Sequence, residues 1–550
     1  MLAVLLLLST ERRSQQHQSI NQSHAQQQQQ QQSAAGILKS TKIGGYYCTG
    51  DWTSSITGLM DTSSPFVDYL FRTVSQRYVG SFCICALLCV VLQIISREKT
   101  TSPPSPYPSS GNLSTSKKLL GEVSYFGKFQ FNYLIVFSLA MFSDWLQGPY
   151  VYELYVSYGF TQQQIAELFV CGFGSSMIVG TFVGGLADKY GRKLMCILYS
   201  VMYIMACATK LVNEYWTLML GRFLSGICTS LLFSVFEAWM VCEHNRLGFD
   251  EASLGNTFSY ATFGNGLAAV IAGLVANTAA EASGYVAPFI VAMIPLAVTA
   301  LIVAFTWNEN YGNANQNIAG SFTKAFELIR SDPRICTLAI AQSCFEGAMY
   351  TFVFMWTPAL KTAEESKAEE EGQALVEGTS QYLGVIFACF MVCVMVGSSV
   401  FKLTAINKTR LYNIPLVLHG VSFTTMLLIT VFYEHKLIVY ICFLIFEISV
   451  GVFYPAYGVI KSEKLPEEIR SSVMNIFRIP LNAFVVLLLL KIKFLSPPIV
   501  FGVCTFTHGI SWVCYYYFYR RIHKSIEGLG PNDQEMQMAL MSRNQDGENV

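Results

Sequence analysis

Charge is what this chain has least of. Only 13% of its 550 residues are Asp, Glu, Lys or Arg, about half the ~25% of an ordinary soluble domain. The 36 basic and 36 acidic side chains cancel, so no basic surface for nucleic acid is expected. No Gly-rich loop ends in Gly-Lys-Ser, which leaves ATP-driven chemistry without its phosphate cradle. No Ser-His-Asp set can be argued either, so no catalytic residue, cofactor or enzyme activity is expected. Sixteen Cys are present, but most lie inside apolar runs, as Cys83, Cys85 and Cys89 do, and none has zinc-type spacing outside such runs. They read as small buried hydrophobes, with no metal site. The apolar run Met1 to Leu8 lacks the basic flank of a signal peptide, and Met60 is a candidate second start.

What the chain has instead is apolar length: 52% of its residues are hydrophobic. A bilayer core of ~30 Å is crossed by about 20 helical residues. Thirteen stretches qualify, near 79-96, 132-151, 165-186, 194-212, 215-240, 257-280, 286-306, 335-360, 379-403, 411-432, 437-460, 471-490 and 497-519. The organisation expected is a disordered Gln-rich segment at 1-78 and an extra transmembrane helix at 79-96. A Pro/Ser-rich linker at 97-128 leads to a six-helix half at 129-306. A central loop at 307-334, a second six-helix half at 335-520 and a disordered tail at 521-550 complete it.

Lys and Arg mark one face of the bundle. Lys189, Arg192 and Lys193, then Lys324, Arg330 and Arg334, then Lys402, Lys408 and Arg410, then Lys461, Lys464 and Arg470 fall in alternate loops, and Arg520, Arg521 and Lys524 follow in the tail. That side is expected to be cytosolic, with a cytosolic C-terminus in a multi-pass cell-membrane protein. A spanning helix at 79-96 places the N-terminus outside, against which Arg72 and Arg77 weigh.

Four carboxylates interrupt the apolar segments at near-regular spacing: Asp144, Glu237, Glu346 and Glu447, 93, 109 and 101 residues apart. A charge at the bilayer centre costs at least about 2.5 kcal/mol, so such residues face a cavity, a partner or a pathway. Their recurrence once per three helices suggests a transporter built from repeats. Two arginines supply the opposite sign, Arg222 and Arg478, each with a planar donor fork suited to an oxyanion or to a structural carboxylate partner. Gln342 lies one turn before Glu346, Asn475 three residues before Arg478 and Asn482 four after it. Two readings stand for Glu237, a cavity carboxylate or a partner of Arg192; two also stand for Asp144, a cavity carboxylate or a cap on backbone broken near Gly148 and Pro149. His508 reads as packing.

The string G-G-L-A-D-K-Y-G-R-K at 184-193 resembles the cytoplasmic loop signature of the major facilitator superfamily. Gly184 and Gly191 permit tight turns, while Asp188, Lys189, Arg192 and Lys193 can form a conformational clasp at the membrane surface. The strings D-W-L-Q-G-P-Y at 144-150, F-E-A-W at 236-239, F-V-F-M-W-T-P at 352-358 and N-I-F-R-I-P-L at 475-481 resemble the molybdate-anion transporter family within that superfamily. The resemblance implies an all-α polytopic facilitator fold, two six-helix halves plus one extra N-terminal helix, rocking around a midplane site. It implies a secondary transporter with high-affinity uptake of the molybdate anion; another solute on the same scaffold, or a non-transporting sensor, is the alternative. Substrate binding is expected at Arg478, Arg222, Gln342 and Asn475. Coupling, with protons the natural ion, is expected at Asp144, Glu346, Glu447 and Glu237. The bilayer is the remaining partner.

Overall fold

In lipid every backbone N–H and C=O must be satisfied within its own segment, so the apolar runs have helix as their only open-ended solution. The computed structural model describes residues 74–100, 113–249, 251–312, 318–371, 379–404, 408–466 and 470–527, and helix dominates them. The first helix, α1, spans Val74–Thr100; α2 spans Leu113–Gln147 and α3 Val151–Ser157. The N-terminal half continues with α4 (Gln162–Tyr190), α5 (Arg192–Thr209), α6 (Tyr215–Leu232), α7 (Val235–Arg246), α8 (Glu251–Ser283) and α9 (Ala287–Thr306). A connecting helix, α10 (Ile318–Ser331), leads to α11 (Pro333–Glu371), α12 (Leu383–Thr404), α13 (Lys408–Val431), α14 (Lys436–Lys464), α15 (Arg470–Leu490) and α16 (Pro497–Glu527).

Eleven of the described helices are long and apolar enough to cross a membrane. The 35-residue α2 and the 29-residue α4 are also long enough to cross one. Local chemistry sets the ends. Thr161 and Gln164 form a reciprocal capping box that starts α4. Glu214 accepts from the backbone N–H groups of Trp216 and Thr217 and starts α6; hydrogen bonds from Thr217 and Trp216 hold its carboxyl below the usual carboxylate range.

Three expected boundaries move. The 97-128 linker is largely helix, because α1 runs on to Thr100 and α2 begins at Leu113. The prolines that forbid helix, Pro103 to Pro108, all fall between them, and Lys117 to Lys128 carries no helix breaker beyond Gly121 and Gly127. The 307-334 loop contains α10, and the last helix reaches Glu527 rather than 520. The Gln-rich segment up to residue 73 and the tail beyond residue 527 lie outside the described residues.

The same pairings recur in both halves. In the first, α2 packs on α8 and α9, α4 on α6, and α5 on α6 and α9; in the second, α11 packs on α15 and α16, α12 on α14, and α13 on α14 and α16. Two further contacts join the halves, α8 with α12 and α15 with α4, related by the same exchange. Glycine permits the first seam. A Cβ on Gly273 would stand 2.8 Å from the Gly384 carbonyl oxygen, so these backbones approach as only small residues allow.

Outside the halves, α1 lies along α12. Tyr78 meets Tyr382 and Tyr440, Cys393 contacts Cys85, and Gln93 donates to Ser399 at 2.9 Å. The two helices therefore run parallel, with Val74 at the end opposite the basic loops.

The described polar pairings between the halves lie toward that opposite end. Lys361 donates to both carboxylate oxygens of Glu153, at 2.8 and 3.0 Å, and Ser380 adds a third bond at 3.1 Å. The Tyr150 hydroxyl bridges Asn277 and the Gly384 amide, and Gln163 bonds the Leu490 carbonyl and the Lys493 amide. Below them Phe169 and Tyr152 meet Phe354 edge-on, and Phe173 meets Tyr350. Glu153 is 4% exposed, and removing one partner of such a buried pair costs about 3 kcal/mol. Lys361→Ala and Glu153→Gln are therefore expected to open this end, raising the labelling rate of a single cysteine beneath the seal at least tenfold. The swap Glu153→Lys with Lys361→Glu should restore much of the protection, and unchanged labelling in all three variants would show that the pair seals nothing.

Candidate functional site

The second half brings three of the four expected binding residues onto facing helices. Gln342, Glu346 and Tyr350 fall at four-residue spacing on one face of α11, and Gln342 donates its amide to Glu346 at 2.9 Å. Asn475 and Arg478 lie on α15. The two helices are pinned at this level, since Ser343 donates to the Phe477 carbonyl at 2.7 Å. Arg478 is within electrostatic reach of Glu346 and Tyr350. Tyr350 is also the residue on which Phe173 of the first half rests, so this group lies directly under the seal.

A third helix contributes what sequence reasoning misses. Hydropathy places Lys461 in a cytosolic loop, but α14 continues through Lys464, and Lys461 is within electrostatic reach of both Glu346 and Arg478. Tyr454, seven residues earlier, donates to the Met349 sulfur at 3.5 Å and reaches Glu346, Glu447 and Arg478 electrostatically. The signal is there: Glu447, Tyr454 and Lys461 repeat every seven residues, which is one helix face. Hydropathy obscures it by ending the segment at 460, just before the charge of Lys461, where the helix carries on to Lys464.

Other expected residues sit apart. Glu447 is 6% exposed and stands with Cys393 and Tyr454, with no described cation beside it. Arg222 is held in the first half: its guanidinium lies 4.5 Å above the Phe169 ring, its Nε bonds the Leu168 carbonyl at 3.4 Å, and Asp144 is its nearby charge. The described contacts do not bring it to Gln342 or Asn475. Asp144 accepts a hydrogen bond from the Tyr203 hydroxyl, and no described bond takes it to the broken backbone at Gly148. Asn482 bonds the Arg478 carbonyl at 2.9 Å, so it caps the backbone instead of extending the guanidinium. His508 is fully buried against Phe345 and Phe446, as packing requires.

At the basic end, Gly191 takes φ +106°, a conformation that glycine adopts at no steric cost, and turns α4 into α5. Arg192 binds Asp188 at 2.7 and 3.1 Å and the Ala238 carbonyl at 3.2 Å. The Arg192–Glu237 pairing is thereby replaced: the i,i+4 geometry hands Arg192 to Asp188, and Glu237 stays exposed. Lys193 reaches the Ala304 carbonyl at 2.8 Å. Glu309, unremarked in the sequence, caps the first N–H groups of α5 at Lys193 and Leu194, at 2.8 and 3.1 Å. The clasp thus binds α4, α5, α7 and the end of α9 within one half. Gly184 lies in α4, one turn before Asp188. The counterpart loop of the second half falls partly at 405–407, outside the described residues.

Two six-helix halves with matching internal pairings, joined by two symmetric seams around buried charge, define a facilitator-type membrane transporter. The fold is shared with the nucleoside transporter NupG, with a TM-score of 0.53 and 15% identity over 71% of this chain and 98% of that one. A peptide transporter POT in complex with sulfate gives 0.55 and 12%, over 72% and 94%. A family model described as sugar transporters with 12 transmembrane segments matches residues 112–438. Molybdate-anion transporters are similar over most of the chain: that of Xenopus tropicalis is 33% identical over 380 residues, 67% of this chain and 80% of the relative. That of Takifugu rubripes is 33% identical over 74% and 85%, and that of Danio rerio 32% over 75% and 86%. The chain belongs to the molybdate-anion transporter family of the major facilitator superfamily.

The clasp lies roughly half a bilayer, ~15 Å, from a midplane site, too far to touch a solute there. Asp188→Asn, Arg192→Ala and Glu309→Gln are accordingly expected to change turnover severalfold while leaving half-saturation within about twofold. Initial uptake rates over a solute titration, at equal surface expression, separate the two; a lost half-saturation with unchanged turnover would move these residues into the site.

Proposed function

We infer that the protein is a secondary active transporter for uptake of the molybdate anion across the cell membrane, working by alternating access and coupled to protons. The observation that carries this reading is Arg478 within electrostatic reach of Glu346, which Gln342 holds, beneath the inter-half seal. A guanidinium in a poorly hydrated site binds a tetrahedral oxyanion through paired charge-assisted donors, which are about twice as strong as neutral hydrogen bonds. The curated relatives named as molybdate-anion transporters supply the identity of that oxyanion.

The basic loops face the cytosol, which puts the C-terminal tail inside and the Glu153–Lys361 seal outside. With the outer end sealed, the arrangement is the inward-facing one. In the outward-facing state the α8–α12 and α15–α4 seams hinge and the seal parts. The clasp on α4 and α5 shares in setting the balance between these states. The proposed domains are the extra helix α1, a first half from α2 to α9, a second half from α11 to α16, and the tail that follows α16.

Entry of a dianion into a negative-inside cell is opposed by about 2.3 kcal/mol per charge per 100 mV, hence roughly 4.6 kcal/mol at that potential. A proton carried inward with it offsets part of this, and Glu346, Glu447 and Asp144 are the carboxylates placed to carry one, with Glu237 nearer the cytosolic end. Sugar transport on the same scaffold is the second reading, favoured by the description of the matching family model.

Uptake of labelled molybdate into liposomes holding the purified protein decides between them. Molybdate competition by sulfate but not by hexoses is expected, and inhibition by hexoses alone would favour the sugar reading. Arg478→Ala should raise half-saturating molybdate at least tenfold at equal expression, and Arg478→Lys should recover little of it, keeping the charge without the fork. Unchanged half-saturation in the alanine variant would make Arg478 structural.

A further inference from the structure

Lys461, Arg478 and Glu346 come from three helices, α14, α15 and α11, and lie within electrostatic reach of one another. Yet no described ion pair joins them; the described pairs are Arg192–Asp188, Arg246–Glu243, Arg334–Asp332 and Lys361–Glu153. The carboxylate takes its hydrogen bond from Gln342 instead. Two cations and one anion thus stand near one another without closing into a described ion pair. Helix packing fixes the arrangement: Ser343 to Phe477 ties α11 to α15, and Tyr454 to Met349 ties the Lys461 face of α14 to α11.

We propose that Lys461 is the second cation of the anion site and Glu346 its built-in counter-ion, so that each tetrahedral dianion is carried together with one proton on Glu346. This rests on the oxyanion reading and deepens it.

The argument is charge balance in a medium that tolerates little net charge. Empty, the group of two cations and one carboxylate carries a single positive charge. A dianion alone would leave it singly negative, with Glu346 repelling the incoming oxygens. A proton taken up on a Glu346 carboxylate oxygen restores neutrality and turns a repelling acceptor into a hydrogen-bond donor for the anion. A monoanion would neutralise the group without a proton, so proton uptake on Glu346 is tied to the double charge of the anion.

Each element packed around Glu346 presents identifiable groups. Tyr454 and Tyr457 face it from α14 beside Lys461, Arg478 from α15, and Tyr350 and Gln342 from its own helix. From α13 and α16, His419 and His508 turn to the Phe345 ring, and His419 is engaged with Tyr457 at 2.8 Å and Ser511 at 3.2 Å. Glu447 has no such pair of cations among the described residues, which makes Glu346 the carboxylate whose protonation is tied to the anion.

The test uses the full chain in liposomes, with labelled molybdate as the probe, a trapped pH dye and the potential clamped by potassium and valinomycin. One proton per molybdate is expected for the wild-type protein, with net movement of one negative charge. Glu346→Gln should still bind molybdate but move no proton with it. Lys461→Met should raise half-saturating molybdate at least tenfold, and Lys461→Arg should restore most of the affinity, which a merely structural lysine would not distinguish. Unchanged half-saturation in Lys461→Met overturns this proposal alone; molybdate uptake without proton movement overturns it together with the proton coupling inferred above, and leaves the oxyanion reading standing. A wild-type protein that neither binds nor moves molybdate removes the oxyanion reading and this proposal with it.

Discussion

A charge in hydrocarbon must be answered by another charge, a donor or a wet cavity, and that requirement organises this molecule. Asp144 is answered by the Tyr203 hydroxyl, Arg222 by the Phe169 ring and a carbonyl, Glu153 by Lys361 and Ser380, and Glu346 by Gln342. Each answer comes from a residue a turn away or on a neighbouring helix, so each polar pair also fixes how helices pack. Apolar contact alone could not do this, because lipid tails compete equally for an apolar helix face.

The repeat explains why the charges fall where they do. The internal pairings of the first half recur in the second, which puts α2, α6 with α7, α11 and α14 in corresponding places. Those helices carry Asp144, Glu237, Glu346 and Glu447. Correspondence of place has not kept correspondence of environment. The second half has gathered two cations about its carboxylate, whereas the first has turned Arg222 toward its own packing and paired Asp144 with a tyrosine. The halves have the same frame and divide the chemistry unequally.

Most of the fold was legible because a helix that crosses a membrane leaves a long apolar run, and each of the thirteen runs falls on a helical region. What was misread shares one cause: hydropathy ends a segment at its first charge, while a helix ends at a cap or a breaker. Lys461 fell into a loop for that reason, and α2 lost about its first four turns to the supposed linker. Of the site, Arg478, Glu346 and Gln342 could be placed from spacing alone because they are one or two turns from each other or from a rare polar neighbour. Glu153 and Lys361 could not. Their pairing spans 208 residues and exists only once the two halves meet. Glu309 was equally silent, since a carboxylate just past a helix end has no periodicity to betray the backbone it will cap.

The extra helix gives the design an asymmetry that the repeat does not require. It packs along α12 and reaches α14 through Tyr78 and Tyr440, with Val270 and Leu274 of α8 in the same apolar cluster, so it lies beside one inter-half seam while being anchored on the second half. Only residues 101–112 separate its far end from α2, the first helix of the other half. The seam without an extra helix, between α15 and α4, has no such strap among the described residues and is held instead by Gln163 on the Leu490 carbonyl and the Lys493 amide. Parting of the halves at the sealed end would thus break polar bonds on both flanks, Gln163 with Leu490 and Lys493 on one and the Tyr150 bridge on the other, and would also slide the apolar face of α1 on the second, so the two flanks would offer unequal resistance to the same motion.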